Sequence, residues 1–415
     1  PAYNAAQYVG GAIDSVLRQS YAHLEAIVID DGSTDRTHEV IAGFAGTDER
    51  IRVIRNRTAS GSAGVPRNQA LDVARGKYVA FVDADDWIDA NFLQTLVGRA
   101  ERDNVDIVFC GGYSEHREAS EKVRKYRSNF VMDVLSPAYR HHESFMIWDK
   151  LYRRAFLDQY NIRLGTTSAA VDVPFVIPAY YFASSVGTEP QCFGYHYRRE
   201  TENSVTVRHR KASDCRFELD AFAAVDRWLG EVHVDNQYRS VVAFRKMSSY
   251  LYTLRVAAAD AFKSFYDRAR DEMLAMDPMA LSSIAREVGK TGNLKLFHDV
   301  RTLSAQEYAQ RHRPDVCETE GWPLPAGTTI DDHNANHRSG IVFAHMSDRN
   351  PYQHLLYRAL RAAYDVPYHG MSQGQVRSGT LKPLGARHRY LHIHWEDRFY
   401  DTNDPNSIDS FLKRV

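Results

Sequence analysis

The sequence predicts an α/β protein built on a mostly parallel sheet with helices on both faces. Three observations carry that reading. Short apolar, β-forming runs alternate with amphipathic helical repeats through roughly the first 110 residues. One run, Tyr78-Val79-Ala80-Phe81-Val82, has the length and content of a buried parallel strand. It opens into Asp83, Asp85 and Asp86, three carboxylates within four positions, and ligands of open α/β sheets sit at that end of the strands.

Taken in order, Pro1-Ala2-Tyr3-Asn4 reads as a loop. Pro1 stands at what reads as the end of a strand, so a fragment lacking its true amino terminus is expected. Val9, Ile13, Val16 and Leu17 recur at helical spacing and predict a helix to about residue 20. A strand is expected over 25–30, broken by Asp31-Gly32-Ser33-Thr34-Asp35. Ser33 is the expected N-cap of a helix that turns Val40, Ile41 and Phe44 inward. A strand over 51–54, a flexible loop over 61–64 and a helix over 68–75 follow, with Gly76 at its C′ position. After the acidic strand come a helix over 90–102 and a strand over 106–110.

Residues 115–128 are charged and poor in apolar side chains, which predicts an exposed insertion. The run 146–154 restores aromatic content. Asp172-Val173-Pro174-Phe175 opens an apolar helix to about residue 183, with Pro174 in its first turn. A strand is expected over 191–198. Helical spacing dominates 212–310, and 323–327 reads as a linker. A new α/β pattern begins near Ile341, with a helix before residue 363 and a strand over 390–395. The domain division expected is 1–210, a helical region over 211–320, and a partial α/β domain over 335–415.

Composition bounds the function. The 415 residues are 44% hydrophobic and 25% charged with a net charge of -1, ordinary globular values that do not favour nucleic acid as a partner. Four cysteines lie far apart, without the spacing of a zinc site or a disulfide framework. No apolar run reaches the roughly 18 residues of a membrane span, and there is no signal-peptide pattern.

Three close carboxylates repel one another unless a cation sits among them, and hard oxygen donors suit Mg²⁺ or Mn²⁺ shared with a substrate phosphate. Alone, each polar feature has a plainer reading: Asp30 and Asp31 as turn and cap, Arg67 as a salt bridge, Tyr3 as a packed aromatic, Asp172 as a helix cap. Their joint placement at strand ends is what points to a site.

Together, PAYN, IVIDDGSTD and GVPRNQALDVARGKYVAFVDADDW resemble the family 2 glycosyltransferases of GT-A fold, over roughly the first 110 residues. In that family PxYN follows a first strand, which is absent here. The resemblance implies a nucleotide-sugar site. Pro1 and Tyr3 would border the base, and Asp31 or Asp30 would hydrogen-bond it. Arg67 would approach the nucleotide or its diphosphate. Asp83-Ala84-Asp85 would be the DxD motif, with Asp85 the direct ligand of Mn²⁺ or Mg²⁺. WDKLYRR, the DVPF block and YHYRRETENS resemble the acceptor half of bacterial members. There Asp172 is the general base, with Val171 where the family has Glu. Arg198 and Ser204 would close over the diphosphate, and His196 is a further candidate metal ligand. NPYQHLLYRAL with HIHWED is similar, over a shorter stretch, to the opening of GT-B glycosyltransferases.

The function expected is inverting, metal-dependent transfer of a sugar from a nucleotide-diphosphate donor, UDP first, to a hydroxyl of a glycan or polyol-polymer acceptor. The resemblance places such an enzyme in the cytoplasm, with peripheral membrane association open. Two rival readings stay open from the residues: a GT-A-like module that binds without turnover, and a phosphoacceptor receiver domain.

Overall fold

Ala26–Asp30 (β1) and Ile51–Arg55 (β2) pair in parallel, Ala26 opposite Ile51 through Asp30 opposite Arg55. In this computed structural model the described residues are 1–117, 120–125, 144–199, 215–287 and 291–323, plus three short strands beyond them. The chain divides into two units, Pro1–Trp322 and Pro323–Val415.

In the first unit, Val9–Leu17 (α1), Thr37–Ala45 (α2) and Gly64–Val73 (α3) pack around the β1–β2 pair. A second sheet has the order β3-β8-β5-β9, from Tyr78–Ala80 (β3), Lys150–Arg153 (β8), Ile107–Cys110 (β5) and Val186–Glu189 (β9). Phe92–Asp103 (α4), Arg154–Gln159 (α5) and Val173–Phe182 (α6) accompany it. A third sheet has the order β4-β10-β6-β7, from Trp87–Ile88 (β4), Tyr195–Arg198 (β10), Gly112–Arg117 (β6) and Ser120–Lys125 (β7).

Among the described residues seven helices follow: Arg216–Glu231 (α7), Asn236–Val256 (α8), Ala259–Leu274 (α9), Pro278–Glu287 (α10), Gly292–Thr302 (α11), Ala305–His312 (α12) and Pro314–Glu320 (α13). Most of their aromatics pack inward, whereas Tyr252, expected to pack with them, is 44% exposed. Phe222, Tyr250, Phe262 and Tyr266 are fully buried. The second unit contributes Ile341–Ala344 (β11), Tyr368–Met371 (β12) and His392–Ile393 (β13), all parallel, with β11 central. The expected helix before residue 363 lies outside the described residues. No described helix is long and apolar enough to cross a membrane.

The α/β class stands, but the sheets are mixed where a mostly parallel one was expected. β8 enters antiparallel between β3 and β5, so only β5–β9 is parallel in that sheet. The acidic strand is also shorter than expected: it pairs with β8 only from Tyr78 to Ala80. Helix α3 begins earlier, at Gly64, and absorbs the end of the expected loop. Gly76 is not its left-handed C′ residue: the helix ends at Ala74 with extended geometry, and Arg75 and Gly76 N–H donate to Glu25 Oε1. Ser33 does not cap α2. Its hydroxyl accepts from Asn4 N–H at 3.0 Å, while Asp35 accepts from Thr37 N–H at 2.9 Å. The expected exposed insertion contains the β6–β7 hairpin, in which Glu115 is buried and paired with Arg199 at 3.0 Å.

The β10 strand is held by an aromatic stack. Trp148, 6% exposed, lies nearly parallel to Tyr195 at 4.3 Å and Tyr197 at 5.7 Å. Trp148→Ala is expected to cost ~3–5 kcal/mol, measured as a lower unfolding midpoint in urea.

Candidate functional site

The carboxyl end of β1 and the first four residues form one knot. Ala2 N–H donates to the Ile29 carbonyl at 2.8 Å, and Asp31 N–H to the Ala2 carbonyl at 2.9 Å. Asn4 takes a left-handed φ of 48°, and its Oδ1 accepts from Thr34 N–H at 2.9 Å. Gly32 has φ +72°, and a Cβ there would collide with the backbone of Thr58 and Ala59, so only glycine lets the two loops touch. Tyr3 stays 43% exposed at the rim. Pro1 is half-buried.

The two acids of this loop face inward. Asp30 is fully buried; its Oδ1 accepts from Ser33 N–H at 3.0 Å, and its Oδ2 lies 3.4 Å from both His38 and Arg55. That carboxylate is a structural anchor, and the expected contact with a base has no opening here. Asp31 accepts from Asn56 Nδ2 at 2.7 Å and from Ser60 N–H and Oγ at 3.0 and 2.7 Å. It organises the loop after β2 at the rim.

Arg67 comes from the first turns of α3. The helix docks on the loop before α6 through a close approach at Gly64, where any Cβ would collide with the Gly165 carbonyl. Asn68 adds two bonds to Leu164, donating from Nδ2 at 3.0 Å and accepting at Oδ1 at 2.9 Å. The docking buries Arg67 to 7% exposure and sets its guanidinium between Asp83, which it bonds, and Asp172, whose Oδ1 lies 4.0 Å away.

Asp172 precedes α6, and its side chain is 27% exposed. Burial pushes its carboxyl up to about 6, with Arg67 pulling the other way. Its Oδ1 is buried without a hydrogen-bond partner among the described residues. Val171 is 6% exposed in the main core cluster, so the position occupied by Glu in the family serves packing here.

The acidic turn separates its members. Asp86 N–H bonds back to the Asp83 carbonyl at 3.1 Å and closes the turn. Asp86 itself points inward at 2% exposure, accepting from Tyr195 Oη and Arg198 N–H, both at 2.7 Å. Burial, then Asp83 and Asp85, hold its carboxyl well above the usual carboxylate range. Asp83 and Asp85 are half-buried, with Ala84 between them. Arg198 Nε donates to the Asp85 carbonyl at 2.9 Å, and its guanidinium lies over the rings of Tyr8 and Trp87 at 5.0 and 4.8 Å.

Two neighbouring carboxylates fit a divalent cation that keeps substrate phosphates in its shell. The surplus negative charge that shifts Asp86 is the local reason such a cation would be welcome. Among the described residues no group of three or more His, Cys, Asp or Glu could cage a metal without the substrate. His196 is not available as a further ligand. Its Nε2 meets Asp89 Oδ1 and its Nδ1 meets His116 Nε2, both at 2.9 Å, and Trp87 stacks on its ring. Ser204 lies outside the described residues. Tyr195, Trp87 and Asn4 were not expected as site residues, and Asp86, expected with Asp83 and Asp85 around a cation, is instead buried at 2% exposure. Tyr195 had a usable signal: an aromatic alternating with His and Arg on a strand.

An α/β scaffold with a DxD turn facing a second acid across a buried arginine has the parts of a sugar-nucleotide enzyme. Residues 1–170 match the family described as Glycosyl transferase family 2. The chain is 29% identical over 322 residues to the Bacillus subtilis uncharacterized glycosyltransferase EpsJ, covering 76% of this chain and 85% of that one. It is 40% identical over 114 residues to the Escherichia coli UDP-Glc:alpha-D-GlcNAc-diphosphoundecaprenol beta-1,3-glucosyltransferase WfgD, covering 27% of this chain and 43% of that one. A solved S. aureus TarS 1-349 complex with UDP-GlcNAc overlays with a TM-score of 0.49 at 18% identity, over 80% of this chain and 92% of that one.

The raised Asp86 has a measurable consequence. A carboxyl whose folded value lies above its unfolded value adds stability at low pH that is lost as pH rises through the folded value. Asp86→Asn removes that loss. In metal-free buffer the wild-type melting temperature is expected to fall, relative to the variant, as pH rises above the ordinary carboxylate range.

Proposed function

We propose that this glycosyltransferase is an inverting, metal-dependent enzyme. It moves a sugar from a nucleotide-diphosphate donor, UDP first, to a hydroxyl of a glycan or polyol-polymer acceptor. The observation that carries the reading is Asp172: a partly exposed carboxylate, tuned to about 6, that shares Arg67 with the DxD residue Asp83. The names of relatives support the donor and acceptor classes. WfgD is named for a UDP-glucose donor and a diphosphoundecaprenol-linked acceptor. TuaG of Bacillus subtilis, 48% identical over 86 residues, is named for teichuronic acid biosynthesis. A lipid-linked acceptor would place the work at the inner face of the plasma membrane by peripheral association.

The chemistry follows from the side chains. Asp172 accepts the proton of an acceptor hydroxyl as its oxygen bonds to the anomeric carbon. The bond from that carbon to the diphosphate oxygen breaks on the opposite face, and one displacement inverts the configuration. Arg67 keeps Asp172 ionised at neutral pH against the cost of burial, and lies where diphosphate charge would collect. Arg198 closes the cleft from β10, stiffened by Tyr8 and Trp87. Mn²⁺ or Mg²⁺ held by Asp83 and Asp85 would offset the charge that grows on the leaving diphosphate.

The test combines UDP-sugars, Mn²⁺ and an acceptor panel, with UDP release and product as readouts. The rate is expected to rise with pH through about 6 as Asp172 loses its proton. Asp172→Asn should lower turnover by ~10²–10⁴-fold with UDP binding kept, and full turnover in that variant would overturn the base assignment. Asp85→Ala should remove the Mn²⁺-dependent part of UDP affinity, measured by calorimetry. Metal-dependent UDP binding with no transfer to any acceptor would favour a binding module.

A further inference from the structure

Asp172 is held from two sides. Ahead of it, α3 docks on the loop at Leu164 and Gly165, and α3 carries Arg67. Behind it, α6 begins. The Asp172 carbonyl accepts from Phe175 N–H at 3.1 Å and from Val176 N–H at 2.8 Å, so the acid moves with the helix. α6 has no charged side chain and carries Pro178 inside it. Proline has no N–H, and its ring displaces the carbonyl four residues back. The bond to the Pro174 carbonyl that would brace the middle of α6 is therefore missing.

The helical region supplies a brace at that point. Tyr238, in the first turn of α8, is 2% exposed, and its Oη donates to the Ile177 carbonyl at 2.7 Å, one residue before Pro178. Its own place is fixed by the N-cap, since Tyr238 N–H donates to Asp235 Oδ1 at 2.8 Å. The same corner grips α6 again at its end. Tyr181 Oη donates to the His233 carbonyl at 3.2 Å, and the Tyr181 ring lies 5.0 Å from that of Tyr238. Trp228 of α7 packs edge-to-face on Tyr181 and Phe182 at 5.7 and 5.9 Å. Ile177 is about 7.5 Å along the helix axis from Asp172. A shift at the brace reaches the acid with little helix between to absorb it.

We propose that the helical region is a positioning element for Asp172, and that Tyr238 is the residue through which it acts. That Asp172 is the base is the reading given above; what is added is why it stays at its depth and at its distance from Arg67. Arg67 and Asp172 are placed by different neighbours, α3 on one side and α8 through α6 on the other. Their 4.0 Å spacing is the gap between two clamps. A displacement of about 1 Å from a productive geometry costs about 10²-fold in rate. The charged groups acting on Asp172 are Arg67 of α3, Asp83 of the acidic turn, and Asp149 and Lys150 at β8. None of these four belongs to the helical region, so Tyr238 acts on Asp172 by position and not by charge.

The experiment compares Tyr238→Phe with Tyr250→Phe in the full chain. Tyr250 is also fully buried, and its hydroxyl bonds Glu272 Oε2 at 2.9 Å inside the helical region. Carbon-13 labelling of the aspartate carboxyls, with Asp172→Asn to assign the signal, follows the titration of Asp172 by NMR. In Tyr238→Phe, α6 loosens and water reaches the carboxyl, so its midpoint is expected to fall from about 6 toward the ordinary carboxylate range. Turnover should fall ~10-fold with the donor KM unchanged. Adding Pro178→Ala, which returns the missing N–H to α6, should restore both, and failure of that rescue overturns the brace at Pro178. Tyr250→Phe should lower the melting temperature and leave both readouts at their wild-type values. A wild-type titration of Asp172 in Tyr238→Phe overturns the proposal. So does an equal shift in Tyr250→Phe, which would make the effect one of general loosening. A shifted titration with normal turnover keeps the positioning role and overturns the base assignment instead.

Discussion

A buried guanidinium shared by two acids is the interaction on which the site depends. Arg67 is 7% exposed, bonded to Asp83 and 4.0 Å from Asp172. Burying one charge alone costs several kcal/mol, and removing a partner from a buried pair leaves that cost unmatched. Each of the three groups thus constrains the other two. Arg67 holds Asp172 below the value burial alone would impose, and it joins the end of the acidic strand to the start of α6.

The backbone had to make unusual approaches for that arrangement. Gly64 lets α3 touch the Gly165 carbonyl, and Gly32 lets the loop after β1 touch the loop after β2. Ala170 sits at φ 54° two residues before Asp172. A left-handed alanine costs roughly 1–2 kcal/mol, and such residues gather where geometry is held for function. Behind the cleft, Asp86 ties Tyr195 and the Arg198 backbone to the acidic turn. The three acids of one short turn thus divide their work. One is buried, with its carboxyl held well above the usual range, one pairs with arginine, and one is half-buried.

Much of this architecture was legible in the residue pattern. Alternating strands and helices, the amphipathic α1 and α4, the helical region and the acid-tipped strand follow from local periodicity. What periodicity missed was partnership. β3 pairs with β8 only from Tyr78 to Ala80, and β8 comes from a run read only as aromatic and apolar. The charged insertion forms a hairpin whose Glu115 meets Arg199, 84 positions away. His196 looked like a ligand until Asp89 and His116 took both its nitrogens.

The chain's own order of residues was enough to settle that acids cluster at strand ends, that glycines punctuate the loops beside them, and that a second aspartate opens a later helix. Those are statements about neighbours along the backbone. Which carboxylates meet the cleft and which are spent internally was decided only by the fold. Asp30 and Asp86 have the same side chain as Asp85 and Asp172, and differ in what packs against them. Solvation and charge act across space, and the residues that set them here lie tens of positions apart in sequence.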